Sequence, residues 1–145
     1  MSGSKRWIRA GTVLVLCLLA GLAGCGKKDW PSPRAEEDRF TWAGVNGTRQ
    51  NGCLVARAEL QGAYWNLASV RLEIETLAEP CPGCPFQPTR TVEFPPGSAS
   101  VTQERELIRV SFCELDQEDF TRWRLAGLNR YSQLKDVTSQ VMILE

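Results

Sequence analysis

Val70, Leu72 and Ile74 alternate with Arg71, Glu73 and Glu75, and this period of two constrains the chain more than any other feature. Successive side chains of an extended strand point to opposite faces, so the three aliphatic residues share one face and the three charges the other. A helix would scatter both sets around its circumference. The register is expected to be firm, because a slip of one residue would turn three charges into the core. The same period recurs along the chain. It predicts strands over 40–46, with Phe40 and Trp42 on one side, and over 53–61, with Leu54, Ala56, Ala58 and Leu60 inward. Further strands are predicted over 69–77, 89–94, 106–113 (Ile108, Val110 and Phe112 inward), 121–129 (Trp123 and Leu125 inward) and 138–144. Gly, Pro, Asn and Asp separate the runs, and Pro95-Pro96-Gly97 marks a turn. Seven short strands within about 106 residues predict an all-β fold, an antiparallel seven-strand β-sandwich.

Composition narrows the chemistry. The sequence contains no His, which removes the commonest general base near neutral pH, and with it Ser-His and Cys-His nucleophile arrangements and His-type zinc sites. The chain is therefore expected to be non-enzymatic, without a cofactor. Its 17 basic residues balance 17 acidic ones, and no basic stripe provides the electrostatic footprint of a nucleic-acid binder.

The N-terminus carries a second pattern. Lys5, Arg6 and Arg9 precede the apolar stretch 12–23, which is too short for the roughly 20 residues of a transmembrane helix. Leu22-Ala23-Gly24-Cys25-Gly26 follows and resembles a bacterial lipobox. The resemblance implies a lipoprotein signal over 1–24, cleaved before Cys25, with Cys25 carrying a diacylglycerol thioether and an acylated amine. Two or three acyl chains hold a protein on a bilayer, whereas one binds reversibly. In Gram-negative lipoproteins an Asp directly after the Cys favours retention at the inner membrane. Gly26 stands there instead, which implies the outer membrane, periplasmic face. Cleavage would remove three basic residues and no acidic ones, so the mature chain would carry a net charge of −3. Residues 25–39, polar and carrying Pro31 and Pro33, read as a mobile lipidated tether ahead of a domain over 40–145. The stretch Cys25-Gly26-Lys27-Lys28-Asp29-Trp30-Pro31 is also similar to the start of small LptM-type lipoproteins, which act as maturation partners of an outer-membrane translocon. Asp29-Trp30-Pro31 stands where that family has Gly-Pro-Leu.

Towards the C-terminus, Leu115 is followed six residues later by Thr121, then Trp123, Leu125, Gly127 and Asn129, a loop, and Thr138-Ser139. This spacing resembles a fibronectin type III domain. Thr121 occupies the position where the family carries a corner Tyr. The family's usual Trp is replaced by small Ala56 and Ala58, whose space Trp42 or Trp123 is expected to fill.

In an arrangement of that kind, strands 53–61 and 106–113 are antiparallel neighbours, so Cys53 lies beside Cys113. Parity agrees, since Cys53 shares an outer side with Val55 and Arg57 and Cys113 shares one with Arg109 and Ser111. A Cys53–Cys113 disulfide closing about 60 residues would contribute roughly 4 kcal/mol in the chain-entropy model. Cys81-Pro82-Gly83-Cys84 is left as its own pair. A Cys-x-x-Cys can be a short pinned loop, half of a zinc site with Cys53 and Cys113, or a redox centre. The first reading gives two structural disulfides, and the last an alternative function as a thiol-disulfide or outer-membrane maturation factor. Arg122 and Arg124 are expected to face Arg71, Glu73 and Glu75 across strands as ordinary surface pairs. Tyr64 and Trp65 in a loop read as core caps or as binding aromatics, and Phe86 beside the Cys pair as loop packing or as an exposed ring that contacts a partner. The expectation is an envelope lipoprotein with structural or protein-interaction duties, bound to membrane lipid through Cys25 and to an envelope protein through its loops.

Overall fold

Two residues turn β1 (Phe40–Gln50) back into β2 (Cys53–Gly62), because Asn51 and Gly52 both take positive φ, 51° and 79°. A type I′ hairpin demands that conformation, and Asn-Gly adopts it readily. The computed structural model describes residues 32–81, 83–95, 97–115 and 120–144. Within them the chain continues through a 3₁₀ turn at Tyr64–Asn66 to β3 (Leu67–Leu77), β4 (Arg90–Phe94), β5 (Val101–Glu104), β6 (Leu107–Phe112), β7 (Phe120–Asn129), β8 (Val137–Thr138) and β9 (Met142–Ile143). One sheet has the order β1-β2-β6-β5, the other β4-β3-β7-β8, and β9 also pairs with β7. Every pairing is antiparallel. The two sheets pack as a sandwich of the immunoglobulin and fibronectin kind.

The alternation seen in sequence builds the core. Leu54, Ala56, Ala58 and Leu60 of β2 and Ile108 and Val110 of β6 face Val70, Leu72 and Ile74 of β3 and Trp123 and Leu125 of β7, all buried. Trp123 fills the space left by the small residues of β2. Its ring lies so close to β1 that a Cβ on Gly47 would come within 2.4 Å of it, and Gly47 is the register partner of Ala56. Trp42 is only half-buried and donates its indole N–H to the Val137 carbonyl at 2.8 Å.

Three parts of the fold differ from the sequence expectation. The predicted last strand is two short strands, because the Leu125 N–H donates to Ser139 Oγ (3.0 Å) while the Ser139 N–H donates to the Leu125 carbonyl (2.8 Å). A side chain thus replaces one backbone rung of the ladder. β5 is an additional edge strand in a stretch with no visible period, since only Val101 of its four residues is half-buried and the others are exposed. Finally, residues 34–38 form a hydrogen-bonded turn, with Asp38 N donating to the Arg34 carbonyl at 2.8 Å. The buried Asn66 side chain donates to the Asp38 carbonyl at 2.9 Å, so the end of the expected tether is tied to the sandwich.

Candidate functional site

The strands end at two poles, and the candidate side chains divide between them. At one pole, where β1 begins and β2 runs into β3, Asn66 joins three segments. It holds Asp38, its backbone N–H donates to the Ala63 carbonyl (2.9 Å), and its carbonyl accepts from Arg130 N (2.7 Å). The turn so fixed carries Tyr64 and Trp65, whose rings meet edge to face with centroids 5.2 Å apart. Tyr64 packs against the core. Trp65 is 57% exposed and is the aromatic of the pair available to a partner.

The opposite pole holds the cysteines of the domain. Cys53 and Cys113 are joined at the β2–β6 end, and Cys81 and Cys84 are joined in the loop after β3. The four sulfurs therefore form two disulfides and not a four-thiolate zinc set. Among the described residues no group of three or more His, Cys, Asp or Glu is arranged to hold a metal ion. Cys25 and its lipobox lie outside the described residues.

The Cys81–Cys84 loop folds down onto the outer face of β3 and β7. Arg122 and Glu75 stand directly opposite each other there, as do Arg124 and Glu73. The Arg122 Nε–H donates to Glu75 Oε2 at 2.7 Å. The rest of the guanidinium reaches the loop: Nη1 donates to the Cys84 carbonyl (2.9 Å) and the Cys81 carbonyl (3.4 Å), and Nη2 to the Pro85 carbonyl (3.3 Å). The second Glu75 oxygen accepts from Gln87 N at 3.1 Å. Phe86 covers the pairs, its ring centroid 4.9 Å from the Arg124 guanidinium and 5.9 Å from that of Arg122.

This corrects one expectation. Glu73 and Glu75 do point away from the core, yet they are 7% and 4% exposed, and Arg122 is 5% exposed. They form a roofed ion-pair ladder and not a solvated face. Phe86, half-buried, is the roof. Sequence alone misses this because whether an outward face is wet depends on a loop that returns over it from the far end of the strand. The one local signal was the cluster Pro80, Pro82, Pro85 and Pro88 around two cysteines, which restricts the loop to few conformations.

The arrangement makes Cys81–Cys84 a clasp. The disulfide closes a turn in which Cys84 N donates to the Cys81 carbonyl at 3.2 Å. Arg122 then locks the carbonyls of that turn to β7. No helix follows Cys81 among the described residues, so the helix dipole that activates the first thiol of redox Cys-x-x-Cys motifs is missing there.

No protein-family model matches this chain, and no curated protein is similar to it in sequence.

Proposed function

We propose that this protein is a bacterial envelope lipoprotein. It is a non-enzymatic fibronectin-like sandwich held through acylated Cys25, on the periplasmic face of the outer membrane, and it presents its surface to another envelope protein. The observation that carries the reading is the pairing of cysteines. All four cysteines of the domain over 40–145 are disulfide-bonded, as Cys53–Cys113 and Cys81–Cys84. Such bonds persist in oxidising compartments and are rare in the cytosol, and the lipobox at 22–26 is the export signal that delivers a chain there. Both halves of the sequence therefore point to the same side of the inner membrane. The clasp gives Cys81 and Cys84 a structural duty, which favours an interaction module over a thiol-disulfide factor.

The test is mass spectrometry of the mature N-terminal peptide, together with fractionation of cells producing the full chain. The expected peptide begins at Cys25 and carries diacylglycerol and a further acyl group, and the protein sediments with outer membrane. Cys25→Ser removes the adduct. A mature chain beginning elsewhere, or a Cys25 without lipid in a protein free of the membrane fraction, overturns the proposal.

A further inference from the structure

In an antiparallel ladder, directly opposed side chains decide whether charges attract or repel. The two sheets use such positions in contrary ways. On β3 and β7 each arginine stands opposite a glutamate, as Arg122 does to Glu75 and Arg124 to Glu73. On the outer face of the other sheet, Arg57 of β2 stands opposite Arg109 of β6. Both are exposed, and among the described residues neither takes part in an ion pair. The row continues on both sides with hydrogen-bonding groups. Asn46 of β1 lies opposite Arg57, and Thr102 of β5 lies opposite Arg109. Arg57, Arg109 and Thr102 line a shallow concavity of about 290 Å³, together with Glu104 and with Leu107, which is 54% exposed. The carboxylates nearest along the strands, Glu59 and Glu104, both stand opposite Leu107, one outward row away.

We propose that the opposed pair Arg57–Arg109, with Thr102 beside it, is a binding site for a single phosphate-class oxyanion. A like-charged pair directly opposed on a sheet is destabilising by itself. A dianion between the two guanidiniums reverses that sign, and the planar donor fork of arginine matches a phosphate bidentately. Thr102, in the lining of the same concavity, adds a neutral donor beside Arg109, and Asn46 flanks Arg57 on the far side, about 14 Å from Thr102 across the sheet. Glu104 lines the Leu107 end of the concavity and Glu59 flanks Leu107 on the other side, so one compact group seated at the arginine end meets less repulsion than an extended polyanion. Leu107 supplies apolar contact to whatever bears the phosphate. The site is independent of the anchoring at Cys25.

The full chain in uncharged detergent and phosphate-free buffer tests this by thermal unfolding. Sodium phosphate is compared with sodium chloride at equal ionic strength. The wild-type midpoint is expected to rise saturably with phosphate, by about 10 °C at roughly a hundredfold excess over the dissociation constant. Arg57→Gln and Arg109→Gln should each abolish the phosphate-specific rise. Without phosphate each variant should melt about 1 to 4 °C above wild type, because the repulsion is gone. That gain is opposite in sign to the loss of a structural arginine. Phosphate acting equally on wild type and both variants, phosphate acting no better than chloride, or variants that melt below wild type would overturn the proposal. A soluble short-chain phosphatidate separates the two sources. Saturation at lower concentration than inorganic phosphate assigns a lipid headgroup, and saturation at equal or higher concentration assigns free phosphate or a small phosphate ester.

Discussion

Removing either charge of the Arg122–Glu75 pair should damage this domain severely, and the reason lies in what Arg122 already touches. Its guanidinium is buried and bonded to one carboxylate and three loop carbonyls, so in Glu75→Gln a full positive charge stays under the clasp with no anion beside it. Stranding a buried charge in this way costs about 3 to 5 kcal/mol. Arg122→Met strands Glu75 instead, with the Gln87 N–H as its remaining donor, and should cost about the same. The double variant Arg122→Met/Glu75→Leu removes both charges together. It loses the three contacts to loop carbonyls, at roughly 0.5 to 1.5 kcal/mol each, and water can reach those carbonyls at the loop surface. The double variant is therefore expected to be more stable than either single one, with a coupling of at least about 3 kcal/mol in the cycle. Urea unfolding with both disulfides intact measures this, provided the slopes of the four curves agree. Singles that each lose under about 1 kcal/mol and add within error would place the pair in the class of exposed salt bridges, and would refute the view that the clasp excludes water from it.

Two further outcomes follow from the packing and the disulfides. Replacing Cys53 and Cys113 by Ala frees a loop with a sequence separation of 60 and should cost about 4 kcal/mol in the chain-entropy model. Cys84→Ser, checked in the same unfolding assay, should cost less because its loop spans a separation of 3. Gly127→Ala would place a methyl 2.6 Å from the Phe40 ring and 3.0 Å from Leu67, an overpacking cost of about 1 to 3 kcal/mol. Phe40→Leu in the Gly127→Ala background should recover part of that loss, and calorimetric midpoints of the three variants decide it.

The strands that carry the core were legible because each has one dry face and one polar face, and a period of two records that difference directly. β3 and β7 are the clearest cases, and their predicted spans match within two residues at either end. β5 was not legible, since an edge strand with three exposed residues out of four has no dry face to record. The division of the last strand turns on one hydroxyl, Ser139, taking the place of a backbone acceptor. The burial of Glu73 and Glu75 escaped for a different reason. Alternation states which way a side chain points and is silent on what lies above it, and here the clasp and Phe86 fold back from beyond the end of the strand. Trp65 and Tyr64 look equivalent as letters, yet the Asn66 hydrogen bonds rotate one into the core contact and leave the other outside.

Register adds a step that alternation lacks, and the Cys53–Cys113 bond fixes it. Opposed residues in an antiparallel pair have a constant sum of residue numbers. Once Cys53 lies beside Cys113, counting four residues inward along each strand brings Arg57 to Arg109, the partners found in the sheet. The same counting from Glu75 and Arg122 brings Glu73 to Arg124. One sheet thus pairs Arg122 and Arg124 with glutamates internally and buries Arg122 under a loop. The other sheet is held by its disulfide in a register that opposes two cations on an open face. A slip of β6 by two residues would keep the inward alternation of Ile108, Val110 and Phe112 and bring Leu107 or Ser111 opposite Arg57, relieving the repulsion at no cost in core polarity. The disulfide forbids that slip. A covalent bond therefore maintains a juxtaposition that side-chain electrostatics oppose, as expected of a position kept for an anion.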